Sequence, residues 1–193
     1  NVPNSEHIAS FHNSFSQVDL FKSSFARYAP GLSPVFNGTL PEQIGITIDG
    51  SNINSITKYE NLEFLDKLPS AIPYFLIKNP KTLIINSGAG LDVLTAIKND
   101  AKVTAIETNP IIINLLKNEY ASFSGNIYNN IDVIFGEGRS FIKNKEKFDV
   151  IVISLAGNVL SSSAGIFGLS ENYLLTKEAF QDYYNSLSED GIL

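Results

Sequence analysis

From residue 82 onward, short Val/Ile-rich runs alternate with amphipathic segments, and no other feature of the sequence restricts the fold as sharply. Residues 82–86, 103–107, 131–135 and 150–155 are nearly continuous apolar runs. The spacing of apolar side chains predicts helices over 92–98, 110–120, 139–143 and 176–187, and residues 191–193 read as the start of a fifth strand. Pro110 suits the first turn of its helix, where its missing N–H costs nothing. Strands apolar on both faces must be covered on both faces. A strand–helix–strand repeat supplies that cover as a mostly parallel, doubly wound α/β sheet.

The text before this repeat is different. Residues 44–48 alternate in strand fashion, Asp49-Gly50 reads as a turn, and 51–57 return as a second strand. This predicts a small β-hairpin unit within an N-terminal segment, 1–58, ahead of the main unit, 59–193. Phe11, Phe15, Phe21 and Phe25 mark either one helix face or loose strands. Leu62, Leu65, Leu68, Ile72 and Leu76 recur at helical spacing, with Pro69 and Pro73 breaking or kinking the run.

Three places carry chemistry. The first apolar run enters Ser87-Gly88-Ala89-Gly90 and then a helix. Small residues there let a ligand approach the backbone, and a helix start offers free N–H groups. The spacing is G-x-G without a third glycine, and such turns also serve plain strand–helix packing. Glu107 ends the second run, followed by Thr108. A carboxylate at that place can accept hydrogen bonds from both hydroxyls of a ribose, or it is simply a solvated strand end. Gly136-Glu137-Gly138 follows the third run. It offers a carboxylate or N–H to an adenine edge, or is a glycine turn with a Glu suited to a helix start. In an open parallel sheet all three lie at the carboxyl edge, where ligands bind.

Composition excludes several classes. The net charge is −6 and no basic patch appears, so nucleic acid is not an expected partner. The chain has no cysteine, hence no disulfide or thiolate metal site, and no metal is expected. His7 and His12 are read as solvated. No apolar run reaches the roughly 20 residues needed to cross a bilayer. The chain holds no Met and stops as a strand opens. Both ends therefore read as cuts from a longer protein, one with room for a membrane segment elsewhere, and the expected location is the cytoplasm or the cytoplasmic part of a membrane protein. The sheet would lack its final strands after Leu193, leaving an edge for a partner chain or for further residues.

Larger stretches carry a resemblance. Pro30-Gly31-Leu32-Ser33, Leu40-Pro41-x-Gln43-x-Gly45 and Ile48-Asp49-Gly50, residues 83–94, 103–110 and 136–141, then Glu171-Asn172-Tyr173-Leu174-Leu175-Thr176 and Asp190-Gly191 together resemble the spermidine synthase family. The chain is more similar still to the bacterial spermidine-synthase-like proteins that often carry membrane segments. The resemblance implies a Rossmann-like class I methyltransferase fold that binds S-adenosylmethionine or its decarboxylated form, and a homodimer. It implies that Gly88, Gly90 and Asp92 line the methionine part, that Glu107 holds the ribose, that Glu137 stands where the family has an Asp in contact with adenine, that Ser154 and Leu155 border the reaction centre, and that Ser87, Ala89, Thr108, Gly136 and Gly138 complete the cofactor site.

The resemblance also has gaps. Aminopropyltransferases of this family carry a base Asp at the end of the fourth strand, where this chain has Ser154 followed by Leu155-Ala156-Gly157-Asn158. Ala89 stands where their glycine loop has an Asp, and Asn61-Leu62-Glu63 where they have Tyr-His-Glu. A polyamine needs carboxylates to bind it and a base to take its proton. The pattern therefore favours methyl transfer to an unidentified acceptor over aminopropyl transfer, with a non-catalytic nucleoside-binding domain as the other reading. Asp92 is either a replacement carboxylate or a helix cap, and Tyr173 either a substrate-facing hydroxyl or packing.

Overall fold

The computed structural model describes residues 4–24, 27–143, 146–154 and 173–193. Its N-terminal part is larger than a hairpin. Strands β1 (Ser5–His12), β2 (Gln17–Ser23), β3 (Gln43–Ile48) and β4 (Ser51–Thr57) form a four-stranded antiparallel sheet in sequence order. Phe11 and Phe21 therefore sit on strands and Phe15 on the turn between them, not on a helix face, while Phe25 lies outside the described residues. Val18 and Leu20 of β2 and Ile44, Ile46 and Ile56 of the next two strands are buried, while Asp19 between them points to the other face.

Residues 60–77 do not make one helix. Two 3₁₀ turns, Leu62–Lys67 and Pro69–Ala71, lead into the short helix α1, Ile72–Leu76. The residue before a proline is pushed out of the helical region, and Leu68 is extended, with φ −92° and ψ 148°. That break resets the face turned inward. Tyr74 is buried, whereas Ile72 and Leu76, which share the sequence's helical stripe, are exposed.

The main sheet is parallel and five-stranded: β5 (Lys81–Ile85), β6 (Lys102–Glu107), β7 (Asp132–Phe135), β8 (Phe148–Ile153) and β9 (Leu187–Ile192), in the order β7-β6-β5-β8-β9. Between them lie α2 (Leu91–Lys98), α3 (Pro110–Asn114) continued by a π turn (Leu115–Glu119), α4 (Gly138–Ile142) and α5 (Lys177–Ser186). The Thr176 hydroxyl caps α5 by accepting from the Ala179 N–H, and β9 begins directly after that helix, earlier than the sequence suggested.

Both faces of the sheet are covered, as the apolar strands require. Ile84, Ala105 and Val150 pack on one side with α2 and α3, in a cluster that continues into Leu20, Ile46 and Ile56 of the N-terminal sheet. Leu83, Ile85, Ile106 and Ile151 pack on the other with Ile142, Ala179 and Tyr183. Neighbouring residues of β5 thus enter opposite cores, the period of two that fixes register. The chain passes from β5 to β6 on one side, while β8 lies on the other. The strand order therefore reverses between β5 and β8, where open α/β sheets form their binding crevice. Among the described residues no helix is long and apolar enough to cross a membrane.

Candidate functional site

The loop after β5 is shaped by two left-handed glycines. Gly88 has φ +53° and Gly90, which caps α2, has φ +88°. A Cβ on Gly88 would come within 2.5 Å of Asn54 Nδ2, and one on Gly90 within 2.4 Å of Ile127 Cδ1. The left-handed backbone disfavours a side chain at both positions, and one added there would also have to displace the Asn54 or Ile127 side-chain end.

Two residues that the sequence did not single out hold the surroundings of the site, the first of them the loop itself. Tyr128, fully buried, donates its hydroxyl to the Gly88 carbonyl at 2.6 Å. With that proton committed, the Ser87 hydroxyl, also 2.6 Å away, donates to Tyr128. Burial pushes the Tyr128 phenol well above its ordinary value, so it remains a neutral donor. The second residue is Asn109, 4% exposed. Its side-chain carbonyl caps α3 by accepting from the Ile111 N–H at 3.1 Å and also accepts from Asn13 Nδ2 at 3.2 Å. Its Nδ2 donates to Ser16 Oγ at 3.0 Å. The β1–β2 turn is thereby anchored to the main sheet. An Asn directly before Pro110 was the available signal for the cap; nothing local signalled Tyr128.

Glu107 ends β6 with 5% of its surface exposed. The Gly88 N–H donates to Oε2 at 2.7 Å and the Asn109 N–H to Oε1 at 2.8 Å. The Thr108 hydroxyl also donates to Oε1, at 3.5 Å. An ionised carboxylate offers about four acceptor sites, so these bonds fix the group while leaving capacity for a further donor. Burial pushes its pKa up from the ordinary value, and the N–H groups of Asn109, Gly88 and Thr108 pull it back.

This carboxylate faces a cavity of about 280 Å³. The main sheet contributes Asn86, Gly88, Ala89, Glu107, Thr108, Asn109, Ile112 and Ser154 to its wall. The N-terminal sheet and its turns contribute Phe15, Ser16, Ile46, Ile48, Asp49 and Asn54. Six of the fourteen wall residues thus come from a segment in which the sequence identified no site residue. Phe15, 60% exposed at the β1–β2 turn, stands at the rim. Asn13 holds that turn through its Oδ1, which accepts from the Phe15 and Ser16 N–H groups at 3.0 and 2.8 Å.

The sequence-derived residues divide into three groups. Gly88, Ala89, Glu107, Thr108 and Ser154 meet at the cavity. Ser87 and Gly90 shape its loop from behind, and the Gly90 N–H donates to the Ser87 carbonyl at 3.0 Å. Asp92 joins through its side chain, which accepts a short hydrogen bond from the Ser154 hydroxyl. The third group stands apart: Gly136, Glu137 and Gly138 are outside the cavity wall. Glu137 is an exposed N-cap of α4, and Gly138 is buried against Ile85. The backbone connects this loop to the site, through the Gly136 N–H donated to the Glu107 carbonyl at 3.1 Å. Tyr173 opens a 3₁₀ turn, Tyr173–Leu175, and Leu155 lies outside the described residues.

No family model and no curated protein sequence matches the chain. Solved structures do. A spermidine synthase in complex with the transition-state analogue AdoDATO aligns with TM-score 0.62 at 21% identity, over 96% of this chain and 54% of that one. A spermidine synthase from Thermotoga maritima aligns with TM-score 0.58 at 20% identity, over the same shares. A TehB-like SAM-dependent methyltransferase from Corynebacterium glutamicum aligns over 64% of this chain at 19% identity, with TM-score 0.42. The chain spans about half the length of the spermidine synthases it matches. Its antiparallel sheet, followed by a parallel sheet with the reversal at β5 and β8, is a spermidine-synthase-like class I methyltransferase fold.

Proposed function

We propose that the chain binds S-adenosylmethionine, or its decarboxylated form, and serves a group transfer from it, with methyl transfer to an unidentified acceptor as the main reading. One observation carries this: Glu107 is held rigid by the glycine-loop N–H at the edge of a cavity, with acceptor capacity left for a diol hydroxyl. A carboxylate buried at a cavity edge is costly to keep without a purpose beyond packing, even with neighbouring N–H groups to stabilise it. The cavity adjoins the reversal point of the sheet, where nucleosides bind in open α/β folds.

A second reading, aminopropyl transfer to a polyamine, draws on charge. Among the described wall residues the ionisable side chains are Asp49 and Glu107, both acidic. Such a wall favours a cation.

Titration calorimetry with S-adenosylmethionine, decarboxylated S-adenosylmethionine and S-adenosylhomocysteine tests both readings. Saturable binding is expected, weakened at least about tenfold in Glu107→Ala because a hydrogen bond to a charged group is worth about 1.5–3 kcal/mol. Preference for the decarboxylated form selects the second reading. No binding by any of the three to folded protein refutes the proposal.

A further inference from the structure

Ser154 and Asp92 come from different strand–helix units and meet across the crevice. Ser154 follows β8, and its N–H donates to the Ile85 carbonyl at 3.0 Å, fixing it beside the end of β5. Asp92 lies in the first turn of α2, the helix that follows β5, where the helix dipole favours a negative charge. It does not cap its own helix: the N-cap is Gly90, without a side-chain bond, and Asp92 instead accepts from Ser154. The pair therefore spans the reversal point of the sheet. Ser154 is in the cavity wall, 9% exposed, and Asp92, half-buried and outside the wall, accepts its hydroxyl. Two strand spacings, about 10 Å, separate the end of β8 from the end of β6, where Glu107 lies. That span suits a sugar at one end and a short side arm at the other.

Building on the nucleoside reading above, we infer that Ser154 and Asp92 form a proton-accepting pair facing the transferred carbon, and that the acceptor substrate is a neutral amine or a hydroxyl. With its proton given to Asp92, the Ser154 oxygen presents lone pairs to the cavity. It can accept a hydrogen bond from N–H or O–H, and it gives no such bond to a carboxylate acceptor. In the transfer, the acceptor's lone pair forms a bond to the carbon on the sulfonium. The C–S bond breaks and its electrons leave sulfur as a neutral thioether. The acceptor's proton passes to Ser154 Oγ while the Ser154 proton passes to Asp92. The sulfonium's positive charge and the carboxylate's negative charge are both consumed, so the step balances.

The pair can be probed without the acceptor. Sinefungin is an S-adenosylmethionine analogue in which a carbon bearing an amine replaces the methylated sulfur, so it places an ammonium at the reacting position. Calorimetry should show the chain binding it at least about tenfold more tightly than S-adenosylhomocysteine. Asp92→Asn should abolish that preference and Ser154→Ala should reduce it. The readout is the ratio of the two affinities within each variant, so a loss of binding common to both ligands cancels. The Ser154→Ala variant keeps the test valid if Asp92→Asn does not fold. Equal wild-type affinity for the two ligands, or a preference that survives both substitutions, overturns the pair while leaving the nucleoside site standing. Failure of both ligands to bind folded wild-type chain overturns the nucleoside reading and the pair with it.

Discussion

Tyr128→Phe removes one oxygen from a fully buried ring and leaves its volume almost unchanged. No cavity forms, so the effect isolates the two hydrogen bonds that hold the glycine loop. The Gly88 carbonyl loses its donor and the Ser87 hydroxyl loses its acceptor, each at 2.6 Å in the wild type. A buried polar group left without a partner costs about 1–3 kcal/mol. Gly88 is half-buried, so water offsets part of its loss. The sum expected is about 2–3 kcal/mol. For a chain of this size about 1 kcal/mol shifts the midpoint by 2–4 °C, so thermal unfolding followed by circular dichroism should show a fall of roughly 4–12 °C. Ser87→Ala should cost less, about 1 kcal/mol, because Tyr128 keeps its bond to Gly88. The double variant should recover about 1 kcal/mol relative to the sum, since the two side chains touch. A Tyr128→Phe variant within about 0.5 kcal/mol of wild type would refute the claim that this network fixes the loop.

Two further outcomes follow from the same site. Gly90→Ala forces a Cβ into a left-handed position and against Ile127 Cδ1; it should cost at least about 1–2 kcal/mol in urea unfolding, and adding Ile127→Ala should leave the conformational part of that cost in place. Glu107 sets two opposite pH dependences. Its folded-state pKa is raised above 4.5 by burial, so the folded protein binds this proton more tightly than the unfolded chain. Its contribution to stability is fully present below the unfolded pKa and is lost as pH rises through the raised value. A ribose diol donates to the ionised form, so S-adenosylhomocysteine affinity should fall as pH drops through the same window, by up to about tenfold per unit below the raised pKa. In Glu107→Gln both dependences should flatten, and a wild-type Kd constant down to the ordinary carboxylate range would contradict the assigned role.

The main sheet was legible because its signal is local. Leu83-Ile84-Ile85 and Val150-Ile151-Val152-Ile153 are apolar at consecutive positions, and such a strand admits no solvated face. Glu107 was legible for the converse reason: a charge at the end of an apolar strand has no packing explanation. The N-terminal sheet was harder to read. Its β3–β4 hairpin carries a turn signal in Asp49-Gly50, but β2 and β3 are joined by residues 24–42, and pairs such as Leu20↔Ile46 leave no trace at short range. Helix α1 failed differently. The stripe Leu62-Leu65-Leu68-Ile72-Leu76 assumes one continuous helical phase, and the extended Leu68 destroys it.

The unread part of the site follows from the same logic. Tyr128 acts on a loop 40 residues away and Asn109 on a turn 93 residues away. Neither bond has a periodic or motif-like signature, because the chain needs only one hydroxyl and one amide at the right points in space. Ser154 shows why a missing motif residue is weak evidence about chemistry. Read along the chain, it is a strand end that has lost a carboxylate. Read across the sheet, it lies against a carboxylate 62 residues earlier, delivered by the neighbouring helix. A parallel sheet brings the start of every following helix to the same edge as every strand end. A group needed at that edge can therefore come from either kind of position, and a search confined to one strand end finds only half of the candidates.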